Sequence, residues 1–380
     1  MTRIVVLGAG YTGMAAAIRV ATRSRRSGGR VTLVNPSPRF TERLRLHQTA
    51  AGERLADHSI ERVLAGTGID FVQDTVAGLD PEARRIRLGG GRELAYDKLV
   101  YALGTVTDVS VPGVAEHAYR YDDHAGAVRL AERLRSLEEG TVVVAGGGLT
   151  GIESATELAE AYPRLRVVLL TRGRPGSMMG ERARAYVMRA MDRLGIEVRE
   201  AADVVKVLPA AVELAGGELI PSNATLWTTG TRGLPQAREA GFTVDGRDRI
   251  VVDDVLRSVS HPDVYAVGDA AAVSRPFGVI HGTCQSGIPT GLHAGTALAD
   301  ELRGRRPRAF RFGYFHQPLS LGRKDAVIQF VRPDDTPRRG YLKGRWAVFY
   351  KESVSSSPIP TFRLLKRGLV PVSLFRLTAG

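Results

Sequence analysis

Cysteine is almost absent from this sequence: Cys284 is the only one in 380 residues. One thiol cannot make an internal disulfide, a thiolate zinc cage or a dithiol redox centre, and such usage suits a reducing cytosol. No run of 18 or more apolar residues occurs, so no segment is expected to cross a membrane as a helix. The amino terminus enters a strand pattern at once, leaving no expected room for a signal peptide, and a cytoplasmic location follows as the expectation. Acidic charge is scarce at one end only. Residues 301–380 hold 17 Lys/Arg against 5 Asp/Glu, whereas residues 1–300 are balanced at 36 against 35. The basic end reads as a solvated surface, or as a face for an anionic membrane, an acidic protein or nucleic acid. The remainder is ordinary for a globular chain of two or three domains, with 24% charged and 43% hydrophobic residues.

Glycine, by contrast, is placed with care. The apolar strand Arg3 to Leu7 runs into Gly8, Gly10 and Gly13 at G-x-G-x-x-G spacing and then into a helical run through Val20. Gly8 permits the tight turn, Gly10 lets backbone approach a pyrophosphate, and Gly13 lets the helix close on the strand, with free helix N–H groups facing the phosphates. The pattern returns at "TVVVAGGGLTGIESATELAE" (Thr141 to Glu160), with Gly146, Gly148 and Gly151. Two further signals are "ELAYDKLVYALGT" (Glu93–Thr105), a strand buried on both faces ending in a small-residue turn, and "HPDVYAVGDAAAV" (His261–Val273), a strand ending at Gly268-Asp269. Asp269 reads either as an acceptor for a polyol or as a cap for the following helix. The strand "RVTLVN" ends at Asn35, where a carboxylate is expected for the ribose hydroxyls; an amide can still hydrogen-bond them.

The four stretches GAGYTG, LVYALGT, GGGLTGIE and VYAVGDAA, in that order, resemble the two-dinucleotide-binding flavoproteins over residues 1 to about 300. The resemblance implies an α/β fold of two Rossmann-like three-layer domains, glutathione-reductase-like, plus a small C-terminal α+β region. It implies an FAD domain in two parts (1–112 and 237–303), an inserted NAD(P)H domain (113–236) and a basic C-terminal domain or tail (304–380). It assigns Gly8, Gly10, Tyr11, Thr12, Gly13, Asn35, Arg43, Ala102, Gly104, Gly268 and Asp269 to FAD. It assigns Gly146, Gly148, Leu149, Thr150, Gly151, Glu153, Thr171, Arg172 and Gly230 to NAD(P)H.

The stretch "PSPRFTERLRLHQTAAG" (Pro36–Gly52) has no cysteine where disulfide reductases of this fold carry a pair, so a thiol relay is excluded and reduced flavin passes electrons on directly. The segment is most similar to that of type II NADH dehydrogenases; apoptosis-inducing-factor-like and ferredoxin reductases also lack the pair. "HGTCQSGIPTGLHAGTALADEL" (His281–Leu302) resembles the quinone-side segment of the first group. It keeps Gln285 and has Pro289-Thr290 in place of a Gln pair. The implied activity is hydride transfer from NAD(P)H to FAD, then electrons to a quinone or similar small acceptor. The alternatives are an acidic iron–sulfur partner, or a non-enzymatic redox sensor whose basic end binds nucleic acid, ranked last because no nucleic-acid module is recognisable.

Glu153 and Gln285 are the catalytic candidates. Glu153 reads as orienting the nicotinamide or as a carboxylate favoured at a helix start; Gln285 as an acceptor-side group or an ordinary polar residue. His47 and His281 read as packed or capping residues before proton donors, and Cys284 as a small buried residue. The strand "RVVLLTRGRPG" ends at Thr171, where an NADH site carries an acid, and continues into Arg172 and Arg174, so NADPH is expected over NADH unless both arginines are solvated loop charges. In the last 80 residues, strands are expected around Leu319–Leu321, Ala326–Val331 and Tyr341–Glu352. The tail spaces Phe362, Leu365, Leu369 and Val372 helically among Arg363, Lys366 and Arg367, as a packed segment or a membrane-surface anchor.

Overall fold

The computed structural model describes residues 1–25 and 27–370; the Cys284 side chain and Val372 lie outside the described set. Strand β1 (Thr2–Leu7) leads through a glycine turn into helix α1 (Tyr11–Ser24). β1 is the centre of a five-stranded parallel sheet, flanked by Gly29–Asn35 and Asp70–Gln73 on one side and by Lys98–Tyr101 and Val264–Ala266 on the other. The second glycine pattern repeats this arrangement. Strand β2 (Gly140–Ala145), helix α2 (Leu149–Ala161) and strand β3 (Leu165–Leu170) belong to a second parallel sheet, ordered Glu197–Arg199, β3, β2, Ala224–Trp227, Ala118–Tyr119. The strands buried on both faces are apolar throughout, as a helix-covered parallel sheet demands. Each sheet has its own core: Val6, Leu33 and Tyr265 in the first, Val144, Leu169 and Leu226 in the second, all fully buried.

The stretch Glu93–Thr105 is two strands rather than one. Glu93–Ala95 joins an antiparallel ribbon, and Lys98–Tyr101 joins the main sheet. The break falls where Asp97 turns to accept from the Arg3 backbone N–H at 2.7 Å.

A long helix, α3 (Cys284–Glu301), packs along α1. Their backbones touch: a Cβ on Gly291 would lie 2.3 Å from Thr12 O, and one on Gly295 2.7 Å from Ala16 O. Thr290, one of the two residues standing where the quinone pattern has its Gln pair, is fully buried. Its Oγ1 accepts from the Gly268 N–H at 2.9 Å and donates to Gly287 O, so it fixes the Gly268-Asp269 turn. The C-terminal region is a three-stranded antiparallel sheet, β4 (His316–Ser320) with Ala326–Val331 and Pro337–Lys343, followed by helices α4 (Arg345–Ser356) and α5 (Pro358–Lys366). The expected strand at Tyr341–Glu352 survives only to Lys343. Gly344 ends it with φ of 66°, and Ala347, Lys351 and Ser355 then bury one helical face at four-residue intervals. In α5, Ile359, Phe362 and Leu365 are buried, and Phe362 meets Phe40 edge-on at 5.5 Å, so the first part of the tail is packed.

Two glycine-to-alanine changes should separate packing from ligand space. Gly291→Ala forces α1 and α3 apart and should cost about 1–3 kcal/mol in a urea melt. Gly10→Ala, where an added Cβ meets nothing within 4 Å, should cost under about 1 kcal/mol yet lower the flavin absorbance retained per chain.

Candidate functional site

The first glycine turn is a cradle. A Cβ on Gly13 would sit 1.8 Å from Gly8 O, and one on Gly8 2.4 Å from Ala102 O, so turn, helix and neighbouring strand end are in backbone contact. Gly10, with extended backbone, faces open space at the start of α1. That is the shape a pyrophosphate needs, set against free helix N–H groups. Asn35 has a different task from the one expected. Its Oδ1 accepts from the Ala9 N–H at 2.9 Å and its Nδ2 donates to Ser37 O at 2.9 Å, so it braces the turn from the next strand. Thr12 lies against Gly268, Gly287 and Gly291, and Tyr11 meets Phe40 edge-on at 5.1 Å.

Asp269 does not cap α3; Thr283 does, in a reciprocal capping box with Ser286. The Asp269 carboxylate lies against Gly282 and accepts no hydrogen bond among the described residues. Burial pushes its pKa up, against the pull of Arg43. An acceptor of this kind, beside the mouth of the first turn, fits the polyol of a flavin dinucleotide. Arg43 is held by a bond from its Nη1 to Thr105 O at 2.9 Å. Of the residues assigned to FAD, the glycines of the first turn and the start of α1 fit its pyrophosphate and Asp269 its ribityl hydroxyls, whereas Asn35 is engaged within the turn.

The second turn repeats the first, with a Cβ on Gly151 1.8 Å from Gly146 O and open space at Gly148. It opens on a cavity of about 470 Å³ lined by Gly146, Gly147, Gly148, Thr171, Arg172 and Gly230 among others. Leu149, Thr150 and Glu153 are not in its wall. Trp227, Met178, Asp108 and Asp203 are, and sequence reading missed them; the strand-end position of Trp227 was the one available signal.

Glu153 points elsewhere. Its Oε1 accepts from Lys351 Nζ at 2.7 Å, from the Ser320 N–H at 3.1 Å and from Ser320 Oγ at 3.2 Å. Burial pushes this carboxyl up, but Lys351 and Ser320 override it and hold it below its ordinary value. Lys351 donates also to Pro318 O at 3.2 Å. One turn on, Glu157 Oε1 is fully buried, 3.8 Å from His47 Nε2 and 3.6 Å from Arg323 Nη1. Burial drives Glu157 up to about 7 against the pull of Arg323, and drives His47 down to about 4. Arg323 continues to Glu53 at 2.8 Å and Glu352 at 3.1 Å. The cluster joins α2, the segment around His47 and the C-terminal sheet. Glu153 thus holds Lys351 rather than lining the nucleotide cavity.

Gln285 is likewise reassigned. Its Nε2 donates to His316 O at 3.0 Å and its Oε1 accepts from the Phe315 N–H at 3.1 Å, which ties α3 to the start of β4. His281 stacks on Tyr314 at 4.5 Å and lies 3.5 Å from Asp335.

Removing one member of the buried pair should be costly. Lys351→Met leaves Glu153 desolvated and should lower stability by about 3–5 kcal/mol, while Glu153→Gln with Lys351→Met should recover most of it. The buried histidines set the acid limb. Burial holds His47 and His316 at about 4 in the fold against an ordinary value of 6.5. Their contribution is therefore present above pH 6.5 and lost as pH falls toward 4. Glu157, raised to about 7, works the other way, giving up stability as pH rises from its ordinary value of 4.5 toward 7. Thermal melts should show a shallower acid limb in His47→Asn than in the parent.

The sequence model of the pyridine nucleotide-disulphide oxidoreductase family matches residues 2–295. An NADH dehydrogenase-like protein of Mycobacterium tuberculosis is 32% identical over 383 residues, covering 94% of each chain. A type II NADH:quinone oxidoreductase of Staphylococcus epidermidis is 25% identical, covering 94% of this chain and 95% of its own. Among solved structures, the sulfide:quinone oxidoreductase of Aquifex aeolicus superposes with a TM-score of 0.82 at 19% identity, over 99% of this chain and 94% of its own. NDH2 of Plasmodium falciparum in complex with NADH gives 0.80 at 15% identity, over 98% and 99%. These likenesses establish the fold as that of the two-dinucleotide flavoprotein reductases, and the family's cofactors are FAD and a nicotinamide nucleotide. The chain belongs to the pyridine nucleotide-disulphide oxidoreductase family and is an oxidoreductase of it, without the disulfide.

Proposed function

We propose that this chain is an FAD-dependent NAD(P)H:quinone oxidoreductase that works at a membrane surface. One observation carries the reading: two pyrophosphate cradles of the same geometry stand in a chain with a single cysteine. Bound FAD would supply the redox chemistry, taking a hydride from the nicotinamide and releasing two electrons. No dithiol can store that pair, so a diffusible acceptor must receive it directly. The names of the Mycobacterium and Staphylococcus relatives support NADH oxidation with a quinone as acceptor. The chain's own residues bind and orient: the glycine turns hold the pyrophosphates, Asp269 the ribityl hydroxyls, and Gln285 ties α3 to the start of β4.

The membrane reading moves from the tail to α4. The apolar stripe of α5 is used inside the fold, as Phe362 and Leu365 are buried. On α4, Trp346 and Phe349 lie three residues apart on one face and are 74% and 70% exposed. Lys343 and Arg345 are exposed beside them. Aromatic side chains with flanking cations support shallow insertion into an anionic headgroup layer. No helix among the described residues is long and apolar enough to cross a membrane.

The acceptor is tested by reducing the yellow, FAD-loaded protein anaerobically with NAD(P)H and then adding menadione, an oxidised ferredoxin or oxygen. Reoxidation should be fastest with the quinone, and a protein reoxidised only by the iron–sulfur partner would discard the quinone assignment. Trp346→Ser with Phe349→Ser should weaken sedimentation with phosphatidylglycerol vesicles about tenfold or more, at roughly 1.5–3 kcal/mol per buried aromatic, while flavin reduction in solution continues. Equal sedimentation of parent and variant would remove the membrane part.

A further inference from the structure

We infer that the second nucleotide site selects for a 2′-phosphate, so that NADPH is the preferred reductant; the inference rests on the oxidoreductase reading above. In a βαβ nucleotide site the adenosine ribose lies at the end of the second strand, and a carboxylate there binds the free 2′-hydroxyl while repelling a 2′-phosphate. Strand β3 ends at Leu170, and the next residue is Thr171. Its side chain is small, neutral and turned in against the turn: a Cβ on Gly147 would lie 2.4 Å from Thr171 Oγ1. The repelling group is therefore missing from its usual place.

Attractive groups follow at once. Arg172, Gly173 and Arg174 line the same cavity as Gly147 and Gly148. Both arginines are exposed, and neither makes an ion pair or side-chain hydrogen bond among the described residues. Neighbouring arginines behave differently. Arg199, on the adjacent strand, is held by Glu218 at 2.7 and 2.8 Å, and Arg166 by Glu197. Glu218 and Glu197 are thus consumed, and the two guanidinium forks at the strand end are left for a ligand. A phosphate dianion suits them, because each fork can donate two parallel bonds. Gly173 adds no bulk between them, since a Cβ there would meet nothing within 4 Å.

One group opposes this. Asp203 lines the cavity and makes no ion pair among the described residues. It follows Ala202, whose N–H donates to Thr171 O at 3.0 Å, so it stands on the next crossing rather than on the strand end. Asp108, the other carboxylate of the wall, is engaged by Arg232 at 3.4 Å, so two unpaired guanidinium groups face one unpaired carboxylate.

The test is calorimetric and needs no turnover. Adenosine 2′,5′-bisphosphate and 5′-AMP are titrated into the FAD-loaded protein. The bisphosphate should bind about 10- to 100-fold more tightly, the range for a gained charged hydrogen bond or two, with the difference shrinking as salt is raised. Arg172→Ala with Arg174→Ala should bring the two affinities together. Thr171→Asp should restore the repulsion and turn the preference toward NADH in anaerobic flavin reduction. Equal binding of the two fragments by the parent protein would overturn the inference. So would faster flavin reduction by NADH at equal subsaturating concentration, and if Asp203→Asn then weakened NADH, the ribose contact would belong to Asp203. A protein that prefers the bisphosphate but whose flavin neither nucleotide reduces would sink the oxidoreductase reading while leaving the phosphate preference in place.

Discussion

The architecture depends on backbone atoms meeting where no side chain could fit. At both glycine turns the helix is drawn onto its strand so closely that a Cβ on the third glycine would fall 1.8 Å from a carbonyl oxygen of the first. The same distance at Gly13 and Gly151 gives two turns of one shape, each aiming helix N–H groups at an open position, Gly10 or Gly148. The contact then propagates. Because α1 sits this low on its sheet, Thr12 and Ala16 come within reach of Gly291 and Gly295 on α3, and Thr290 on the same helix can hold Gly268. Asp269 is thereby set beside the turn formed at the far end of the chain's first strand.

The second constraint is electrostatic. Glu153 and Lys351 come from α2 and α4 and meet at 2.7 Å out of water. Desolvating two ions is expensive, and an apolar pair of similar volume is often as stable. What the ions provide is direction. Lys351 must find both Glu153 and Pro318 O, and Glu153 must find the Ser320 N–H and hydroxyl. Those four contacts fix α4 and β4 against α2 in one orientation, which a greasy contact would leave free to slide. His47 and Glu157 pack into the same joint, both neutral forms being favoured by burial.

This difference explains what the sequence reveals. The two cradles are written within twenty residues each, since strand, turn glycines and helix are neighbours in the chain, and their spacing alone carries the geometry. Glu153 is equally visible, but its partners Ser320 and Lys351 are not: the Ser320 contact spans 167 residues. No local pattern could say that Glu153 faces away from the nucleotide, or that Gln285 braces Phe315 and His316. Asn35 stands where a ribose ligand is expected; its bond to the Ala9 N–H is a tertiary fact. The α4 segment reads as a strand because "WAVFY" has the composition of one, and only the four-residue interval of Ala347, Lys351 and Ser355 reveals the buried helical face.

The basic excess of the last eighty residues shows how totals mislead. Summed, it suggests a single cationic surface. Placed, it divides by solvation. Lys351 and Arg323 are drawn inward and neutralise Glu153, Glu157, Glu53 and Glu352, so they belong to the joint. Lys366 is spent on Val63 O, and Arg338 on Val331 O. Others remain in water: Arg305, Arg306 and Arg308 surround a cavity of about 400 Å³ with Arg23, and Lys343 and Arg345 flank the aromatic face of α4. A charge that is buried and paired fixes a structure, whereas one left in water can act only on what approaches from outside. The same count of lysines and arginines thus serves two purposes, and desolvation decides which residue serves which.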